Sequence, residues 1–165
     1  FHARFSAMAR RYRYSLLNRP IRSPLHHQRA GWFHAPLDVS LMQQGGAYLL
    51  GEHDFSAFRA AECQAKSPIK TIEHLRLTQL DELIVLDIKA NAFLHHMVRN
   101  LMGLLLPVGL HEQKPEWVRD VLASCDRKQA GKTEAAAALY LVKVDYDKDY
   151  GLPLMAKGPF MLPDN

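Results

Sequence analysis

Residues 10–19, RRYRYSLLNR, set guanidinium and phenol side chains in strict alternation as Arg11, Tyr12, Arg13 and Tyr14. A guanidinium is a planar fork that can hold two phosphate oxygens at once. A phenol offers a flat face on which a base can stack. No acid stands near in the sequence, and arginines without a counter-charge repel one another unless an anion sits among them. The pattern points to a polyanion that carries aromatic rings, which is nucleic acid. For any one of these residues the plainer alternative is a solvated arginine or a tyrosine half inside a core.

Other residue types narrow the chemistry. Histidines are adjacent at His26–His27 and again at His95–His96. Neighbouring side chains on a helix diverge by about 100°, so one metal rarely takes both. No further ligand stands at the spacing of a zinc site, and no metal is expected. Phosphate or sugar contact, or plain surface, remains for His95 and His96. Arg99 follows His95 by one helical turn, either as a solvated cation or as a buried one pairing with a carboxylate or phosphate. AGKT at 130–133 hints at a phosphate loop, but the position that needs glycine is Asp126 and no strand precedes it. Nucleoside triphosphate binding is therefore excluded. No G-x-S-x-G nucleophile elbow occurs.

Charge is distributed unevenly along the 165 residues, whose net charge is +4. Residues 1–37 hold seven arginines, no lysine and no acid. The other 14 Lys and Arg face all 17 acids, leaving that part at −3. A cationic segment is thus carried on a mildly acidic body, and nucleic acid leads over lipid because no basic amphipathic helix accompanies it. No apolar run reaches the roughly 20 residues of a membrane span, and no leader pattern opens the chain. Cys63 and Cys125 stand far apart, which suits a reduced, cytoplasmic protein. The chain opens on Phe1 inside what reads as structured sequence, so a fragment of something longer is expected.

The elements that must position these residues follow from periodicity. Residues 11–17 alternate as a strand, with Tyr12, Tyr14 and Leu16 on one face and Arg11, Arg13 and Ser15 on the other. Residues 20–36, with Pro20, Pro24 and Pro36, read as loop. Asp38 or Ser40 caps a helix running to about Leu50, with Gly51 as its stop. Gly45 and Gly46 inside that helix call for a close packing partner. HDFSAF reads as a short helical turn. Residues 69–78 and 83–90 form an antiparallel hairpin across a short polar link. Leu94, Met97, Val98, Leu101, Leu104 and Leu105 make one apolar stripe of a helix over 94–106, ended by Pro107 and Gly109. A further helix runs from Pro115 to about Ser124. DRKQAGKT is a polar loop, 139–146 a last strand, and the tail with Pro153, Pro159 and Pro163 irregular. The fold class expected is α+β, a mostly antiparallel mixed sheet with helices packed on one face.

Several blocks together resemble the tRNA pseudouridine synthase A family: FHARFSA (1–7), RRYRY (10–14), GEHDFSAFRA (51–60), DIKANAFLHHMVRNLMG (87–103) and LYLVKVDY (139–146). They spread over nearly the whole chain. The resemblance implies a pseudouridine-synthase-like half and an isomerase that converts uridine to pseudouridine in the anticodon stem-loop of tRNA, without cofactor or metal. It further implies a homodimer that clamps tRNA across both subunits. The target uridine has to be extruded from the stack. Carried onto this chain, the resemblance implies that Tyr12 packs against the uracil and assists proton movement. Arg99 pairs with the catalytic aspartate, and Leu139 lines the pocket as bulk without hydrogen bonds. Arg4, Arg10, Arg11, Arg13, His95 and His96 would contact phosphate. The family's R-T-D-x-G-V-H motif, which carries the nucleophile, occurs nowhere here, and neither Asp54 nor Asp87 stands at its place. The chain is thus expected to be the C-terminal catalytic-domain portion, over 1–165, inactive by itself. Ala138 stands where a glycine is expected before Leu139–Tyr140. The alternative from another class is a non-catalytic RNA-binding module, which basic strands with tyrosines also serve.

Overall fold

The computed structural model describes residues 1–153. Pro159 and Pro163 of the expected irregular tail lie outside the described residues. Among the described residues six strands and three α-helices follow in chain order, besides short 3-10 turns: β1 (Ala9–Asn18), β2 (Gly31–Phe33), α1 (Val39–Ala47), β3 (Gly51–Asp54), β4 (Ile69–Leu80), β5 (Leu83–Ala90), α2 (Met97–Gly109), α3 (Glu116–Ser124) and β6 (Leu139–Asp145). The strands form one mixed sheet in the order β2-β1-β5-β4-β3, with β6 also paired to β1. All pairings are antiparallel except β1 with β2. The fold is α+β, as expected.

β1 is the hub of the sheet. One of its edges carries β5 along Arg10–Leu17. The other is shared by β6, which pairs with Ala9–Tyr14, and by β2, which pairs with Leu16–Asn18. Side chains alternate across a strand, so Tyr14, Leu16, Ile84, Leu86 and Ile88 all reach the core and are fully buried. Bulges adjust this phase. Ile72 and Leu75 of β4 both reach the core although three residues apart, because the register shifts between Ile72 and His74.

The helices cover that same face. Asp38 caps α1, its Oδ1 accepting the Leu41 amide at 3.0 Å. The partner expected for the glycine pair exists: a Cβ on Gly46 would come 2.6 Å from Leu75 Cδ2 on β4, and one on Gly45 3.0 Å from Val118 Cγ2 on α3. α1 ends at Ala47, three residues before Leu50, and Gly51 opens β3 instead. α2 starts and stops three residues later than expected. His96 takes a left-handed conformation (φ 63°) and so bars the helix from starting at Leu94. Pro107 lies inside the helix rather than ending it. An internal proline costs about 3 kcal/mol, but Leu106 and Val108 on either side are buried and hold the turn against the core. The short strands β2 and β3 fall in segments read as loop or turn.

Candidate active site

The helix-facing side of β1 carries the two tyrosines, which differ sharply. Tyr14 is fully buried, and its hydroxyl donates to the Ala135 carbonyl at 3.0 Å. Burial drives its phenol far above the ordinary value, so it is a neutral structural group with no face to offer a base. Tyr12 is half-buried and meets Phe93 edge to face, ring centres 5.1 Å apart. Burial raises its phenol too, against the opposing charge of Arg10. Tyr12 therefore stays protonated at neutral pH, a donor rather than a phenolate base. Leu139 of β6 lies opposite Tyr14, and Leu141 opposite Tyr12. Cross-strand partners share a face, which gives Tyr12, Leu139 and Leu141 one side of the sheet. Leu141 is 51% exposed, so this apolar strip is open.

Arg99 reaches the same side from α2. Its Nε donates to the Glu134 carbonyl at 2.6 Å, and its own carbonyl accepts the Glu134 amide at 3.4 Å. Glu134 lies five residues before β6, so Arg99 ties α2 to the segment that delivers Leu139. Its charge acts on the Tyr14 phenol. Burial keeps the Glu134 carboxyl above the usual range, against the charges of Lys132 and Arg99. Among the described residues no carboxylate forms an ion pair with Arg99. No hydrogen bond or ion pair among the described residues joins Arg99 to Tyr12; the two share a side of the sheet.

The segment between α3 and β6 is clamped onto α2 by two residues the sequence did not flag. Asn100 is fully buried; it donates to the Phe58 carbonyl and accepts from Arg127 Nη2 and Thr133 Oγ1. Gly103 lets the chain approach so closely that a Cβ would meet the Lys132 carbonyl oxygen at 1.9 Å. AGKT thus packs against a helix rather than cradling a phosphate. Asn100 and Gly103 both stand off the apolar stripe of Leu94, Met97, Val98, Leu101, Leu104 and Leu105, and an uncharged polar residue and a glycine one turn apart there were the available signals.

His95 and His96 precede α2 with their rings 3.9 Å apart. Partial burial, the neighbouring His95 ring and the Arg99 charge lower the His96 imidazole from its ordinary value. The His95 amide donates to Cys63 Sγ at 3.3 Å. No cluster of three or more His, Cys, Asp or Glu among the described residues is placed to hold a metal ion.

The other side of β1 corrects the view that its arginines lack a counter-charge. Asp87 of β5, opposite Arg13 in register, takes Arg11 bidentately at 2.6 and 2.8 Å and Arg13 Nε at 2.8 Å. Burial disfavours the Asp87 charge, yet the hydrogen bonds from Arg11 and Arg13 outweigh it and lower the carboxyl. Arg13 and Asp87 are both buried. Arg11, Arg13, His74, Arg76 and Asp87 line a cleft of about 250 Å³ on this face, away from Tyr12. Arg10 is likewise engaged, donating to the carbonyls of Arg4, Ala7 and Asn91. Arg4 is exposed in the turn before β1.

A mixed sheet with helices on one face, carrying on its helix side a half-buried tyrosine, an open apolar strip and the Arg99 guanidinium, defines the class: an α+β protein with aromatic, apolar and cationic groups on one side of its sheet. Residues 47–147 match the family model of tRNA pseudouridine synthase. Proteins named tRNA pseudouridine synthase A from Vibrio campbellii and Vibrio cholerae are each 53% identical to the whole chain, which covers 62% of their length. That of Aliivibrio salmonicida is 51% identical over the whole chain, 63% of its length. The chain belongs to the tRNA pseudouridine synthase family, and it spans about three-fifths of the length of these curated relatives.

Proposed function

We propose that this chain is one portion of an enzyme that isomerises uridine to pseudouridine in tRNA, and that it supplies one wall of the active site. The observation that carries the reading is Arg99: a half-buried guanidinium, oriented through Nε on the Glu134 carbonyl and ion-paired with no carboxylate of the described residues, Glu134 included. Such a cation is prepared for a carboxylate delivered from outside these residues, which keeps that carboxylate ionised and aimed.

In this mechanism an aspartate from beyond the chain attacks the extruded nucleoside. The bond from the ribose to N1 breaks as the aspartate bonds to the ribose, the uracil turns, carbon 5 joins the ribose as the aspartate is displaced, and carbon 5 loses its proton while N1 gains one. Tyr12 packs on the ring through the turn, and its neutral hydroxyl donates a hydrogen bond or relays that proton. Leu139 fills space without fixing the ring, so rotation is not opposed. The reaction is an isomerisation and consumes no co-reactant. The anticodon stem-loop as substrate and a homodimer as the working assembly belong to the same proposal.

The test uses the protein at the length of its relatives. Arg99→Ala should lower pseudouridine formation by about a hundredfold or more while tRNA binding changes little. Binding by the wild type without any product would favour the RNA-binding module instead.

A further inference from the structure

The turn before β1 is built with unusual firmness for a segment that exposes its largest side chain. His2 Nδ1 accepts the amides of both Arg4 and Phe5, at 3.2 and 3.3 Å. Ser6 N donates to the His2 carbonyl at 2.8 Å, and the His2 amide to Ser6 Oγ at 3.0 Å. Arg10 Nη2 donates to the Arg4 carbonyl at 2.7 Å and Tyr146 Oη to the Ala3 carbonyl at 2.8 Å. The polar groups of this turn are spent on holding its shape. Phe5 nevertheless stays 78% exposed, while Phe1 beside it packs on Tyr146 and Tyr150.

An exposed apolar residue alone needs no explanation. Phe5 differs in three respects. Its backbone is fixed, so presenting the ring costs little further ordering. Its ring is flanked by His2, centroids 4.5 Å apart, and by the Arg4 guanidinium at 5.7 Å. And Arg10, which braces the turn, also donates to the Asn91 carbonyl, two residues before the Phe93 that packs on Tyr12. A rigid ring accompanied by a cation suits a base with its adjoining phosphate.

We propose that Phe5, with Arg4 and His2, is a stacking platform for an unpaired nucleobase next to the extruded uridine. The proposal rests on the reading of Tyr12 and Arg99 as the uridine site and adds the position that receives the neighbouring base.

The experiment uses the protein at the length of its relatives and an RNA stem-loop carrying 2-aminopurine on either side of the target uridine. Wild type and Phe5→Trp should quench the 2-aminopurine. Phe5→Leu and Phe5→Ala should abolish the quenching and weaken binding by about tenfold, the lower part of the range for one stacked base. If Phe5→Leu behaves as wild type, the ring is only apolar bulk against protein and the platform is overturned. A wild type that makes pseudouridine but never quenches also overturns it. A wild type that quenches through Phe5 yet makes no pseudouridine keeps the platform and overturns the enzymatic reading.

Discussion

At the scale of the residue, Asp87 and Arg99 are opposite cases of one rule about buried charge. Asp87 is satisfied within the chain, and removing one partner of a buried pair costs far more than the pair contributes. Asp87→Asn should destabilise the fold by about 3 kcal/mol, read as a lower denaturant midpoint. The pH dependence has a definite sign. A carboxyl held below its ordinary value of 3.8 contributes fully above that pH, and the contribution is lost as pH falls through the lower folded value. Acid titration should therefore show wild-type stability falling below about pH 4, with a shallower fall in Asp87→Asn. Tyr12→Phe separates two roles of one side chain: tRNA binding should persist because the ring remains, while the rate falls by about tenfold or more through loss of the hydroxyl. Equal rates would show that the hydroxyl has no part in proton movement.

At the scale of the element, the site depends on how the loop before β6 is held to α2. Gly103→Ala places a methyl against a carbonyl that cannot move alone, so the loop must shift. A loss of about 2 kcal/mol or more is expected, and activity should fall further than stability because Arg99 and Leu139 are both positioned by that contact. Asn100→Ala strands the buried Phe58 carbonyl and removes the acceptor shared by Arg127 Nη2 and the Thr133 hydroxyl, costing about 3 kcal/mol, measured by thermal unfolding. Neither contact was legible in the sequence, since both join α2 to a loop some 30 residues away. What was legible followed local rules. The alternation of 11–17, the hairpin at 69–90, the Asp38 cap and the demand of Gly45–Gly46 for a close partner all reappear. The misses have physical causes. β2 and β3 are too short to show a period. Pro107 is carried by burial that propensity does not weigh. The counter-charge for Arg11 and Arg13 lies 76 and 74 residues away across the sheet. Only pairing of β1 with β5 reveals it.

At the scale of the whole molecule, the two faces of the sheet have divided the arginines and tyrosines of β1 between separate tasks. One face buries Tyr14 and presents Tyr12 beside Leu139. The other pairs Arg11 and Arg13 with the single carboxylate of Asp87. The dense alternation that suggested one nucleic-acid surface thus serves the sheet as well, and the proposed function assigns RNA contact to Tyr12, Arg99 and the exposed turn. Among the described residues no helix is long and apolar enough to cross a membrane. The central claim is that this wall is complete in its base-holding and charge-orienting groups but not in its nucleophile. The most direct measurement is a pseudouridine assay on the purified 165-residue chain incubated with unmodified tRNA. The account predicts salt-dependent tRNA binding and no pseudouridine. Pseudouridine formed by the chain alone would contradict it.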